Sequence, residues 1–289
     1  MKRILLFLVL WVPALCGFAV PDEQTLVNDT KQKVLPPAQQ LLDEVIRALP
    51  AIPLQINGTL QSKTTDGKTD RKMQLEMLLD WQAQPPQARY TIRDNFGRPL
   101  KFLSVTWPAG AEPEYHFMQG DPLVGAPLPP LGEQIEETDI TWIDLSLSFL
   151  RWKNGRTSGG EEVRGRDCYV VDIDAPKGTP GYSGVRLWLE PKIHILLRAE
   201  SYNEKVELMR RLDVKSFKKI NDRWFVGEIE LQSFPSKHRT YLRVQSVYDR
   251  ERKQYLSRDT AAGDEQAQPT NQVMDKIEIP ATTTPPPVK

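Results

Sequence analysis

Cysteine and histidine are scarce in this chain: Cys16 and Cys168 are its only thiols, and His116, His194 and His238 its only imidazoles, in 289 residues. That scarcity excludes a disulfide-stapled scaffold, and the absence of C-x-x-C or H-x-x-x-H spacing argues against a metal centre. There is no excess of either charge, since 38 basic residues face 38 acidic ones. The basic footprint of a nucleic-acid-binding protein is therefore missing. The densest basic run, "MRRLDVKSFKK" (209–219), alternates in sign and phase as a solvated strand face would. No G-x-S-x-G elbow marks a nucleophile. "KGTPGYSG" (177–184) lacks the Lys-Ser/Thr ending of a phosphate loop and reads as a turn. Long apolar runs are missing too, except at the start.

There, Lys2 and Arg3 precede "ILLFLVLWVPALCGFA" (4–19), with Gly17 and Ala19 at the −3 and −1 positions of a cut before Val20. This is the pattern of a cleaved secretory leader, too short for a good spanning helix. Leu15 stands where a lipid-attachment site at Cys16 would need a small residue. If Cys16 leaves with the leader, Cys168 remains alone and no internal disulfide can form. In "RDCYVV" it reads as a small buried hydrophobe in a strand.

What the chain does contain is alternation. One helix is expected first: in "PPAQQLLDEVIRALP" (36–50), Ala38, Leu42, Val45 and Leu49 fall on one stripe, with prolines at both ends. The period then becomes two. Leu54, Ile56 and Leu60 make one strand face, and Met73, Leu75, Met77, Leu79 and Trp81 the next, joined by "DGKTD". Shorter strands are expected around Tyr90, Phe102 and Tyr115, followed by a proline-rich loop or flap over 120–134. "TWIDLSLSFLRW" (141–152) supports two readings, a short helix begun by Thr141 and Asp144, which is favoured, or a strand alternating with serines. From Asp167 to Tyr248 an antiparallel meander is expected, with turns at Asn203-Glu204 and Asn221-Asp222, and with Ile195, Leu197 and Ala199 on one face of one strand. Asp172 and Asp174 share a strand face and read as solvated acids. About nine to eleven strands result, with little helix to cover their apolar sides.

The segments "DLSLSFLRW", "GRDCYVVDIDAP", "YSGVRLWLEPKIHILLRAESYN", "VKSFKKINDRWFVGEIEL" and "HRTYLRV" resemble the outer-membrane lipoprotein-sorting, or LolA-like, proteins over roughly residues 35–250. The resemblance implies a mainly β fold, a half-open antiparallel β-barrel curled over one to three helices, whose concave apolar face shelters acyl chains of a lipoprotein or lipid. It also implies a non-catalytic periplasmic carrier or sensor, with transfer partners at the inner and outer membranes and with no cofactor. The rival readings are an envelope protein-interaction module with a self-filled barrel, and an envelope hydrolase. The candidate lining residues are Met77, Leu79, Leu187, Leu189, Leu197, Val206, Leu208, Phe225, Ile229, Leu231, Leu242 and Val244.

The expected organisation is a leader over 1–19, a polar segment over 20–34, the half-barrel over 35–250, and a disordered tail over 251–289 that ends "PATTTPPPVK". Such a Pro/Thr-rich stretch cannot bury enough surface to fold. Truncation after Arg258 is accordingly expected to leave Tm within about 4 °C of the full chain in a thermal melt.

Overall fold

The computed structural model describes residues 34–220 and 223–259. The leader and its cut at Ala19, the Asn221-Asp222 turn and the chain beyond 259 lie outside the described residues.

The expected first helix is α1 (Ala38–Arg47), which starts after Pro37 and buries Ala38, Leu41, Leu42 and Val45. Leu49 lies past its end. Six strands follow: β1 (Leu54–Lys63), β2 (Thr69–Asp80), β3 (Gln87–Arg93), β4 (Pro99–Thr106), β5 (Glu114–Gln119) and the two-residue β6 (Val124–Gly125). The β1–β2 turn closes through Gly67, whose φ of 81° suits a residue without a Cβ. The proline-rich 120–134 segment is loop apart from β6. Next come α2 (Trp142–Ser146) and a 3-10 turn (Ser148–Arg151). The second meander consists of β7 (Arg156–Val163), β8 (Arg166–Asp174), β9 (Gly184–Glu190), β10 (Ile195–Tyr202), β11 (Leu208–Ile220), β12 (Arg223–Ser233) and β13 (Arg239–Asp249), with β14 (Gln254–Arg258) paired to β13.

Among the described residues, fourteen strands form one antiparallel sheet that does not close, with order β6-β5-β4-β3-β2-β1-β13-β12-β11-β10-β9-β8-β7 and β14 off that path. The count exceeds expectation for physical reasons. β7 ("RTSGGEEV") is a polar, largely exposed edge strand with no apolar alternation to announce it. β6 and β14 are too short for periodicity to register. β14 also carries ordered sheet past residue 250, where the tail was expected to begin.

Topology places the helical segment. Each meander is sequential, and the non-sequential β1–β13 pairing stitches them together. β6 and β7 are therefore the opposite edges of the sheet, and the chain between them carries α2 and the 3-10 turn. Laid flat, the thirteen-strand path would be roughly 60 Å wide, because neighbouring strands lie about 4.8 Å apart. Yet residues from β1–β5 and β8–β13 share one core cluster with α1, α2 and the 3-10 turn. Only a curled sheet lets strands so distant in order reach the same core, so the shared face is concave.

The convex face has its own small cluster of Val163, Cys168, Val170, Trp188 and Leu197. Cross-strand ion pairs run over the same face of the sheet: Arg186–Asp172 at 2.6 Å, Arg198–Asp213 at 2.7 Å and, farther along, Arg243–Glu228 at 2.7 Å. Asp172 is thus paired rather than merely solvated. Burial pushes the Cys168 thiol up to about 11, with Glu190 adding to it. In the folded protein Cys168 should resist iodoacetamide at pH 8 and be alkylated only after denaturation, as read by peptide mass spectrometry.

Candidate functional site

The concave face is the one to which the candidate lining residues are assigned, and the α2 region occupies it. The Thr141-x-x-Asp144 start signal operates as a reciprocal cap, in which the Asp144 amide donates to Thr141 Oγ1 at 3.2 Å and the Thr141 amide donates to Asp144 Oδ2 at 3.1 Å. The helical reading of this segment is therefore the correct one. The cap fixes the direction in which Trp142, Ile143, Phe149 and Leu150 enter the core, and each is at most 2% exposed.

Asp144 does more than cap. The Tyr182 hydroxyl donates to its Oδ1 at 3.1 Å, and the Thr141 hydroxyl lies 2.8 Å from that of Tyr182. Arg210 reaches in from β11, with Nε 3.2 Å from Asp144 Oδ2 and the guanidinium 4.8 Å above the Tyr182 ring. The pair is close in charge, although Nε and Nη2 are not aligned for hydrogen bonding. Burial works against the Arg210 charge, but Asp144 and Tyr182 more than offset it, so the guanidinium stays protonated. Burial and the Asp144 carboxylate push the Tyr182 phenol far above its ordinary range. Nearby, the Thr240 hydroxyl donates to Asp139 Oδ2 at 3.0 Å and accepts from the Asp139 amide at 2.9 Å, tying the entry to α2 onto β13.

The candidate lining residues divide. Met77, Leu187, Leu189, Phe225, Leu231, Leu242 and Val244 are buried in the concave core, and Leu79 and Ile229 pack against it half-buried. Leu197 does not join them: a bulge in β10 between Leu196 and Arg198 resets the alternation, leaving Leu196 and Ala199 inside while Leu197 and Ile195 turn to the convex cluster. Val206 sits in the β10–β11 turn at φ 61° and is 73% exposed. Leu208 is half-buried at the start of β11 and outside both clusters, because an irregularity near Met209 separates its phase from that of Leu212.

Sequence reasoning missed Arg210, Asp144 and Tyr182 as a unit. The "MRRLDVKSFKK" run is solvated at Lys215 but not at Arg210, which is 9% exposed and faces inward. The signal available was plain alternation, since Arg210 has the same parity as Leu212 and Val214, but nothing in the sequence marks the carboxylate that lets a charge face inward. The histidines are scattered: His116 is exposed on β5, His194 lies in the β9–β10 turn 3.4 Å from Glu44, and His238 precedes β13. Among the described residues no group of three or more His, Cys, Asp or Glu could hold a metal.

The concavity is packed. The void between Asp144, Phe149, Arg210, Leu212 and Leu231 leaves no room for a water-sized molecule. A larger hollow of about 470 Å³ lies elsewhere, among polar loops at Asp94, Arg98, Lys101, Gln119 and Glu136.

A family profile described only as an uncharacterized protein matches residues 130–256. No curated protein matches. Solved structures do. They include a DUF1329 family protein from Desulfovibrio piger (TM-score 0.62, 14% identity, covering 73% of this chain and 90% of that one). A LolA superfamily protein from Nitrosomonas europaea matches with a TM-score of 0.57 and 16% identity over 74% of this chain and 93% of that one. A domain assigned as an outer-membrane lipoprotein-sorting protein from Vibrio parahaemolyticus gives 0.61 and 13% over 78% and 94%. The fold is LolA-like. At these identities the likeness concerns backbone architecture alone.

Proposed function

We propose that this chain is a non-catalytic periplasmic carrier or sensor that takes the acyl chain of a lipid or lipoprotein onto its concave face. One observation carries the reading: an apolar face drawn from eleven strands is covered by one ten-residue helix and by the short α2 region, which packs onto it through a few large apolar side chains and a polar cluster around Asp144. Among the described residues no helix is long and apolar enough to cross a membrane.

Binding requires exchange, because the face is filled. Re-exposing Trp142, Ile143, Phe149 and Leu150 would cost roughly 6–12 kcal/mol at about 1.5–3 kcal/mol each. A sixteen-carbon chain buried in their place returns about 12 kcal/mol at about 0.8 kcal/mol per CH₂. The exchange is near balance for a long chain and unfavourable for a short one, so affinity should rise steeply with chain length. The polar anchors of α2 can be exchanged for water at little net cost.

Denaturing mass spectrometry of protein purified without detergent provides the test. Lipid with chains of about sixteen carbons recovered near one per protein supports the reading. Protein that is empty and takes up no long-chain lipid on incubation would overturn it. The filled void at Asp144 and Leu231 favours a second reading, a self-filled barrel that recruits another envelope protein. An empty preparation that retains a stoichiometric protein partner selects it.

A further inference from the structure

At one end of the concave face, Arg151 closes the 3-10 turn and lies over two neighbouring tryptophans. Its guanidinium lies 4.1 Å from the Trp107 ring centre and 5.3 Å from that of Trp81, and the two rings are 5.4 Å apart. Trp81 follows β2 and Trp107 follows β4, so both belong to the rim where those strands end. Among the described residues no carboxylate pairs with Arg151. Stacking covers the faces of a guanidinium, whereas its five N–H donors radiate from the rim. Among the described residues none of them is hydrogen-bonded to a protein acceptor, and the side chain is half-buried.

The surroundings compound the imbalance. The indole N–H groups of Trp81 and Trp107 are buried without an acceptor, and Trp107 is only 8% exposed. Tyr90, on the concave face of β3, and Tyr115, on β5, lie close enough to act electrostatically on the same cation, and Tyr115 also engages Ser148. Burial lowers the readiness of Arg151 to carry charge, and only these two phenols counter it. Buried donors without acceptors are uncommon because each forfeits its hydration. Here a half-buried cation and two indole donors share one place and lack one thing, an anion.

We infer that Arg151, Trp81 and Trp107 form the seat of an anionic headgroup, a carboxylate or phosphate, on an amphiphile whose acyl chain enters the concave face. This rests on the acyl-binding function proposed above and narrows it to anionic lipids such as fatty acids, in preference to uncharged acyl esters. The flat guanidinium rim suits bidentate contact with either oxyanion. The tryptophan faces suit the first methylenes of the chain.

The experiment compares oleate with methyl oleate as displacers of a neutral fluorescent probe, N-phenyl-1-naphthylamine, from the full-length protein. The two ligands share a chain and differ in charge. Wild type should release the probe at about tenfold less oleate than ester, the ratio expected of a charge-assisted hydrogen-bonded pair. Arg151→Gln should shrink that ratio toward one, and Arg151→Lys, which keeps charge but loses the fork, should retain part of it. Trp107→Phe, which removes an indole donor, should reduce it by a smaller factor. Equal displacement by acid and ester in wild type, which needs no variant to fold, overturns the headgroup seat while acyl binding stands. Displacement by neither overturns both. Acetate at the same concentration should leave the probe in place; if it matches oleate, the site takes free anions and the lipid assignment falls.

Discussion

Leu231→Arg is expected to destabilise the protein by about 4 kcal/mol or more, lowering Tm by about 8–16 °C, or to prevent its accumulation. Leu231 is 1% exposed near the end of β12, opposite Leu212 on one side and Thr240 on the other. Its inner neighbours include Phe149 and Arg210. A new guanidinium there would enter a space without room for water and beside an existing cation. Gln232→Arg adds the same charge on the outer side of the next residue. It lies opposite Arg211 and Arg239, so like charges should cost something, but less than about 1 kcal/mol. Urea unfolding of both variants checks the contrast. A folded Leu231→Arg with wild-type stability would show that the face opens freely at this point.

Arg210→Met is the second large effect. It keeps much of the apolar stem and removes the charge, leaving Asp144 buried without its ion-pair partner. Removing one member of such a pair costs about 3–5 kcal/mol. The lower end applies here, because Asp144 still accepts from the Thr141 amide, the Thr141 hydroxyl and the Tyr182 hydroxyl. Adding Asp144→Asn should then recover more than about 1 kcal/mol, since the unpaired charge is gone while a side-chain acceptor for the cap remains. A double-mutant cycle in urea measures this. Strictly additive losses would show that Arg210 stabilises the sheet independently of α2. If the pair does hold α2 in the concavity, Arg210→Met should also release bound lipid or admit it faster, visible as an altered on-rate for the neutral probe.

Much of this architecture could be read from residue order. The stripe of Ala38, Leu42 and Val45 predicts α1, and the prolines around it set its limits. Strict alternation in Met73, Leu75 and Met77 predicts β2 and the inward direction of those side chains. Thr141 and Asp144 announce α2 because capping is a contact between residues three apart, which needs no knowledge of the rest of the fold. Local periodicity and local hydrogen bonding act over a few residues, so they are written in the sequence at the same scale.

Three things were decided only by the tertiary structure. Leu197 and Leu208 face away from the expected lining because bulges shift the phase of β10 and β11, and a bulge is a property of two paired strands. β7 exists because the open edge at β8 offers unpaired backbone donors and acceptors, which its polar residues can satisfy without any apolar stripe of their own. Arg210 is buried because a chain crossing from one sheet edge to the other brings Asp144 to meet it, from 66 positions away in sequence. Alternation specifies which side chains share a face, whereas what fills that face depends on non-local packing.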